Sequence, residues 1–138
     1  MESIVVKLGK KKITVDPDEY LEVDLDNLNN ELAEFPQKFY YIQNLRNRVQ
    51  HKVKSLTHKK QIERGDIFVG EKTSTEYDKT PTDKYIEGII QTDEDYIEIK
   101  KQLRDWEKTL ADLNSLVEAM STKGKFLQSL NVNSRALT

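Results

Sequence analysis

A chain of 138 residues with 33% charged side chains and 36% drawn from AVILMFWYC has less apolar content than an average compact domain. It points to one elongated or self-assembling domain rather than a two-domain enzyme. The absence of cysteine excludes a disulfide framework, a thiolate zinc centre and a cysteine nucleophile, and no apolar run is long enough for a signal peptide or a membrane span, so the chain reads as cytoplasmic. The net charge of −2 conceals a segregation, with −5 over residues 1–36, +7 over residues 37–65 and −4 over residues 66–138, an asymmetry typical of a polyanion-binding surface.

Ile4 to Val15 reads IVVKL-GK-KKITV, two short β-prone runs around Gly9-Lys10, and predicts a small hairpin or arm over residues 1–15. Asp16-Pro17-Asp18-Glu19 is a helix start: Asp16 can accept backbone N–H bonds, Pro17 suits the first turn, and Glu19 stands where a capping carboxylate would. Leu21, Leu25, Leu28, Leu32 and Phe35 then step by four and three among acidic residues and predict an amphipathic helix to about Glu34, which Pro36 ends or bends. A second helix, from about Gln37 to Glu63, places Ile42, Leu45, Val49, Val53 and Leu56 on one stripe and stops at Gly65-Asp66. These acidic and basic helices make up a region spanning residues 16–64.

Residues 65–80, rich in Gly, Thr and Ser, predict a mobile loop or loose hairpin around Ile67-Phe68-Val69. Thr80-Pro81-Thr82-Asp83 opens another helix, and Thr92-Asp93-Glu94-Asp95 either restarts it or lies inside a continuous one. Beyond it Ile99, Leu103, Trp106, Leu110, Leu113, Val117 and Met120 hold a 3.5-residue period without interruption, the mark of a coiled-coil seam. Gly124 interrupts the pattern, and Phe126, Leu127 and Leu130 form a last short turn before a polar tail. The expected fold is all-α: one domain over residues 1–138, with a helical region from 81 to 138 carrying a coiled-coil-like helix. Trp106 is large for a two-stranded coil, and a lone chain with so little apolar content should leave this seam uncovered, so the seam is expected to join copies into a homo-oligomer.

Chemistry is concentrated in the basic helix. At 100° per residue Arg48, Lys52, Ser55 and Lys59 fall within about 60° of one another, a cationic rail beside the apolar stripe. His51, Lys54 and His58 lie on the far side, and Arg46 and Lys60 flank the opposite edge. Such cations can follow phosphates, and Phe39, Tyr40 and Tyr41 offer π-faces to unpaired bases, although burial statistics place Phe39 and Tyr40 in the core first. Solvated faces normally mix both signs, which this segment does not. The candidate nucleic-acid contacts are therefore Arg46, Arg48, Lys52, Lys54, Lys59, Lys60, Tyr40 and Tyr41.

Other chemistries find little support. Pro17-Asp18 with Glu98-Ile99-Lys100 spells a nuclease-like PD…ExK pattern, but Glu98 and Lys100 stand about 200° apart around a helix rather than on adjacent strands converging on a metal. His51 and His58 share a face without a carboxylate three or four residues away, so no metal site is expected. No phosphate-binding loop, nucleophile elbow or zinc-protease motif occurs. The chain reads as a non-enzyme without a cofactor.

The stretch from Lys84 through Gly88, Asp93, Asp95, Leu103 and Trp106 to Lys123-Gly124 resembles the UvsY recombination mediators of tailed phages, without gaps in the spacing of these positions. Val15-Asp16 opening an acidic helix, and Pro36 ahead of an aromatic and then basic helix, are similar to that family too. The resemblance implies a mostly helical homo-oligomer, a ring of six or seven, that binds single-stranded DNA. It further implies that the assembly acts with the phage single-strand-binding protein and loads a UvsX-like strand-exchange recombinase in recombination and repair, without a cofactor, in the cytoplasm of the bacterial host. The family's DNA-contacting pair of a Lys and an Arg one residue apart falls on Lys52-Val53-Lys54, with Lys in the second place, and its oligomerisation through C-terminal helices agrees with the seam from Ile99 to Met120. The competing reading is a structural coiled-coil scaffold that binds no nucleic acid.

Overall fold

The computed structural model describes residues 1–137, with side chains to residue 133. The elements in order are strands β1 (Ile4–Leu8) and β2 (Lys11–Val15), a short helix α1 (Pro17–Leu21), a single 3₁₀ turn (Leu25–Asn27), and helices α2 (Leu28–Thr73), α3 (Asp83–Thr92) and α4 (Glu94–Leu137). The fold is thus helical with an N-terminal hairpin, as the sequence predicts. The chain divides into two compact units, Met1–Gln50 with Lys108 onward, and His51–Glu107.

In the first unit β1 and β2 pair antiparallel in the register Ile4↔Val15 to Leu8↔Lys11. The two-residue connection has a positive φ of 63° at Gly9, as a type II′ turn requires. Ile4, Val6 and Val15 are buried, with Ile42, Leu45 and Val49 of α2 and Leu113, Leu116, Met120 and Leu127 of α4 completing the core. Asp16 caps α1 through its carboxylate, which accepts from Asp18 N at 3.1 Å, and Pro17 occupies the first turn. The helix expected to run to Glu34 instead stops at Leu21, and Leu25 is exposed rather than part of a stripe.

The cause is distant in sequence. The Lys123 ammonium is buried and donates to Tyr20 O at 3.0 Å and Glu22 O at 2.8 Å, and it pairs with the Glu31 carboxylate at 3.3 Å. The ammonium thereby satisfies carbonyls that the end of α1 leaves without an intrahelical partner. Asp24 then starts the 3₁₀ turn by accepting from Asp26 N at 3.0 Å, while its own N–H donates to Glu31. Burial pushes the Glu31 carboxyl up, but the Asp24 N–H and the Lys123 charge outweigh it and hold it below the usual range.

Pro36 lies inside α2 and does not end it. Phe35 and Phe39 stack across the proline at 5.4 Å between centroids, and the buried positions that follow outweigh the roughly 3 kcal/mol proline penalty. Gly124 likewise continues α4 instead of interrupting it. A Cβ there would meet the Phe35 ring at 2.8 Å, so the glycine permits a close approach of ring to helix.

In the second unit α2 does not stop at Gly65-Asp66 and residues 65–73 are helical, not a loop. Ile67 and Phe68 pack on a core of Ile86, Ile90 and Tyr96, and this burial overrides the cost of about 1 kcal/mol for each exposed glycine. Thr82 caps α3 by accepting from Tyr85 N at 3.2 Å. Asp93 ends α3 and caps α4 by accepting from Tyr96 N at 2.9 Å, so of the two readings of residues 92–95 the restart is the one observed. Arg64 and Glu87 form a bidentate pair, one contact being 2.8 Å, and Lys72 bridges Asp83 and Pro81 O.

The heptad seam is distributed between the units. Ile99 and Leu103 are buried in the second, Leu113 and Met120 in the first, and Trp106, Leu110 and Val117 are half-buried. The four deepest positions are covered by the chain itself, while Trp106, Leu110 and Val117 keep partial exposure along the seam.

Three outcomes follow. Gly124→Ala should lower stability by about 1–2 kcal/mol through overpacking, whereas in a Phe35→Ala background the same change should raise it by up to about 1 kcal/mol, a reversal of sign visible in denaturant unfolding. Lys123→Met should cost about 3 kcal/mol by stranding Glu31. Because the Glu31 pKa is depressed on folding, its contribution is present above the ordinary glutamate range and lost as pH falls through the lower folded value. Glu31→Gln should therefore flatten the decline in stability between about pH 5 and pH 3.

Candidate nucleic-acid interface

The continuous α2 carries every cation singled out in the basic segment, but the helix distributes them over several faces. In the first unit Arg48 is exposed, whereas Arg46 is half-buried and its guanidinium donates to Asn47 Oδ1 at 3.0 Å and Asn114 Oδ1 at 3.4 Å. Tyr40 is 69% exposed, which overturns its placement in the core. Phe39 is half-buried against Phe35. Tyr41 is 45% exposed with its ring parallel to Tyr20 at 6.5 Å. Burial, the Tyr41 phenol and Glu19 together push the Tyr20 hydroxyl up. One tyrosine face is thus taken, and the Tyr40 ring is open.

In the second unit Lys52, Lys54 and Lys59 are exposed and Lys60 is half-buried. Residues two apart on an α-helix diverge by about 200°, so Lys52 and Lys54 cannot face one surface together. Lys52 stands 6.0 Å from the centroid of the Trp106 ring, a cation–π geometry. Lys59 borders a shallow cleft shared with Glu63, Asp95 and Glu98, an acidic setting at odds with a phosphate path. Lys60 instead lines a cleft with Lys100 and Arg104 of α4, where Glu107 is the single acid. Lys100 also lies 5.6 Å from the Tyr96 ring centroid.

Lys100 and Arg104 are absent from the sequence-derived set. Their signal is the i, i+4 spacing on one helix face, which a charge count misses because residues 66–138 carry an acidic excess. Among the described residues none of Arg48, Lys52, Lys54, Lys59 or Lys60 is ion-paired with a carboxylate, in contrast to Lys38, Arg64, Lys72 and Lys123. Unpaired ammonium groups are available to an external anion without a competing internal bridge.

Glu63, Asp93 and Asp95 offer carboxylate oxygens within 4.8 Å of one another. Desolvation first, then the charges of Asp93 and Asp95, push the Glu63 carboxyl up. Such a site would repel a polyanion, and it marks the end of the basic surface along α2. His51 and His58 are exposed, and no helix among the described residues is long and apolar enough to cross a membrane.

No protein-family model and no curated protein matches this sequence. The fold, however, is similar to two crystal forms of the bacteriophage T4 recombination mediator protein UvsY. One superposes with a TM-score of 0.69 over 88% of this chain and 90% of that chain at 12% identity, the other with 0.68 over 88% and 94% at 14% identity. The likeness is one of fold, and it falls on the same proteins that the residue pattern resembles.

Trp106 is the sole tryptophan and reports on Lys52. A polyanion that draws the ammonium from the ring should change its fluorescence on titration with oligothymidine, and Lys52→Ala should remove most of that change.

Proposed function

We propose that this chain is a recombination mediator that, as a homo-oligomer, holds single-stranded DNA on its cationic helix faces and helps a strand-exchange recombinase load onto DNA coated by single-strand-binding protein, in the cytoplasm of a phage-infected bacterium. The observation that carries this reading is the fold likeness to a recombination mediator over nearly the whole length of both chains. The unpaired cations of α2, joined by Lys100 and Arg104, supply the chemistry it needs. The role is one of binding and assembly and asks this chain to make or break no bond.

The physical expectations are specific. Each phosphate contact contributes a salt slope of roughly −0.7 for single strands, so one protomer with a few contacts binds weakly and sheds DNA steeply as salt rises. Tethering several copies raises avidity by about 10²–10⁴ without any new contact. Assembly is therefore what would convert weak lysine contacts into a useful grip. Exposed Tyr40 would stack on a base in this reading, a contact worth about 1–3 kcal/mol.

Mobility shift with labelled oligothymidine at two salt concentrations tests the reading, together with recombinase activity on DNA coated by single-strand-binding protein. Binding at low salt and faster loading are expected, and Lys52→Ala/Lys60→Ala/Arg104→Ala should make the salt slope shallower by about 2 while leaving the subunit count unchanged. No binding at low salt would instead favour the structural scaffold.

A further inference from the structure

We propose that the tip of the β1–β2 hairpin is a second phosphate-binding element, a cationic finger that grips the backbone of single-stranded nucleic acid. The inference rests on the reading of this chain as a nucleic-acid binder, but on different residues. The four basic side chains among residues 1–36 are Lys7, Lys10, Lys11 and Lys12, all within six consecutive positions of an otherwise acidic region. All four are exposed, and among the described residues none has a carboxylate partner.

The fold concentrates them further. The register places Lys7 directly opposite Lys12. Leu8↔Lys11 closes the two-residue turn as a hydrogen-bonded pair, so Lys7↔Lys12 falls on the alternate position, where facing side chains approach most closely. Like charges directly opposite weaken a strand pair. The hairpin nevertheless holds this arrangement, because Ile4, Val6 and Val15 are buried at its base. A rigid apolar root thus presents a repulsive cationic tip, and an anion bound there relieves the repulsion.

Lysines also blunt free strand edges against unwanted pairing, and Lys7 and Lys12 could serve that end alone. Lys10 cannot be explained so, because it lies in the turn, outside the ladder, where Asn, Asp, Gly or Ser would ordinarily suit. An acidic peptide is the less favoured occupant, since the lysines surround a two-residue turn, whereas peptide recognition seats side chains in pockets or lays strands and helices along edges and grooves. Residues 4–15 contain no Arg, Asn, Gln or aromatic side chain to read a base edge, so the contact is to phosphate and independent of sequence.

The test is Lys10→Gln/Lys11→Gln/Lys12→Gln in the full chain, with Lys10→Gln/Lys11→Gln as a second variant that leaves the Lys7↔Lys12 pair intact. Oligothymidine and a mixed-sequence oligonucleotide should both bind more weakly, with the salt slope shallower by about 2 for the triple variant and by about 1.4 for the double. Circular dichroism and subunit count should match the unaltered protein. Unchanged affinity and slope, while the α2–α4 variant loses both, would overturn the finger and leave the mediator reading standing. Aggregation with unchanged affinity would assign the lysines to edge protection. Loss of binding to poly-glutamate but not to oligonucleotide would assign the tip to a protein. Failure of the unaltered protein to bind oligonucleotide at low salt would remove both readings.

Discussion

The unbroken course of α2 is the constraint on which the placement of every candidate cation depends. Composition argues against it, since Pro36, Gly65 and Gly70 lie within its 46 residues and together cost about 5 kcal/mol relative to good helix formers. Burial decides otherwise. Ile42, Leu45, Val49 and Leu56 are buried along it, each contributing roughly 1.5–3 kcal/mol, and Ile67 and Phe68 extend the packed face beyond the glycines. Because the backbone stays helical throughout, the angular position of each lysine is set by its number. Within the second unit Lys52 and Lys59 share one flank of the helix, Lys54 is turned outward, and Lys60 sits on the packed side.

What was legible in the sequence is what short-range chemistry determines. The hairpin follows from Gly9-Lys10 between β-prone runs, and the Asp16, Thr82 and Asp93 caps follow from a side-chain oxygen two or three residues from the N–H it accepts. The early end of α1 was not legible, because its cause is an ammonium about a hundred residues away that takes the Tyr20 and Glu22 carbonyls. Gly124 illustrates the same limit. Read locally it is a breaker, whereas in the fold it is the position that admits the Phe35 ring, and the heptad pattern continues past it to buried Leu127.

The candidate surface was half legible for a related reason. Counting charge along the chain finds residues 37–65 because their cations are contiguous. It cannot find Lys100 and Arg104, which lie among acids yet share a cleft with Lys60, nor the hairpin lysines, whose four charges are outnumbered within the acidic first quarter. Tertiary structure sorts charge by face, so a segment that is acidic on average can still present a cationic edge. Conversely Lys59, counted with the basic run, stands beside Glu63, Asp95 and Glu98.

The predominance of lysine over arginine among these exposed groups bears on the kind of grip available to the proposed mediator. A guanidinium forks onto a phosphate or a guanine edge and fixes its geometry, whereas an ammonium is a strongly hydrated point charge on a flexible stem. Lysine contacts are consequently indifferent to sequence and individually weak, and their sum depends on ionic strength and on how many copies act together. A protein that must hold a strand and then yield it to a recombinase benefits from that arrangement, because contacts that break one at a time let an incoming protein displace it stepwise, whereas a few rigid, desolvated contacts would have to be lost together. Paired cations follow the opposite logic: Lys123, buried and fully partnered, serves the fold, and its charge is closed to any ligand.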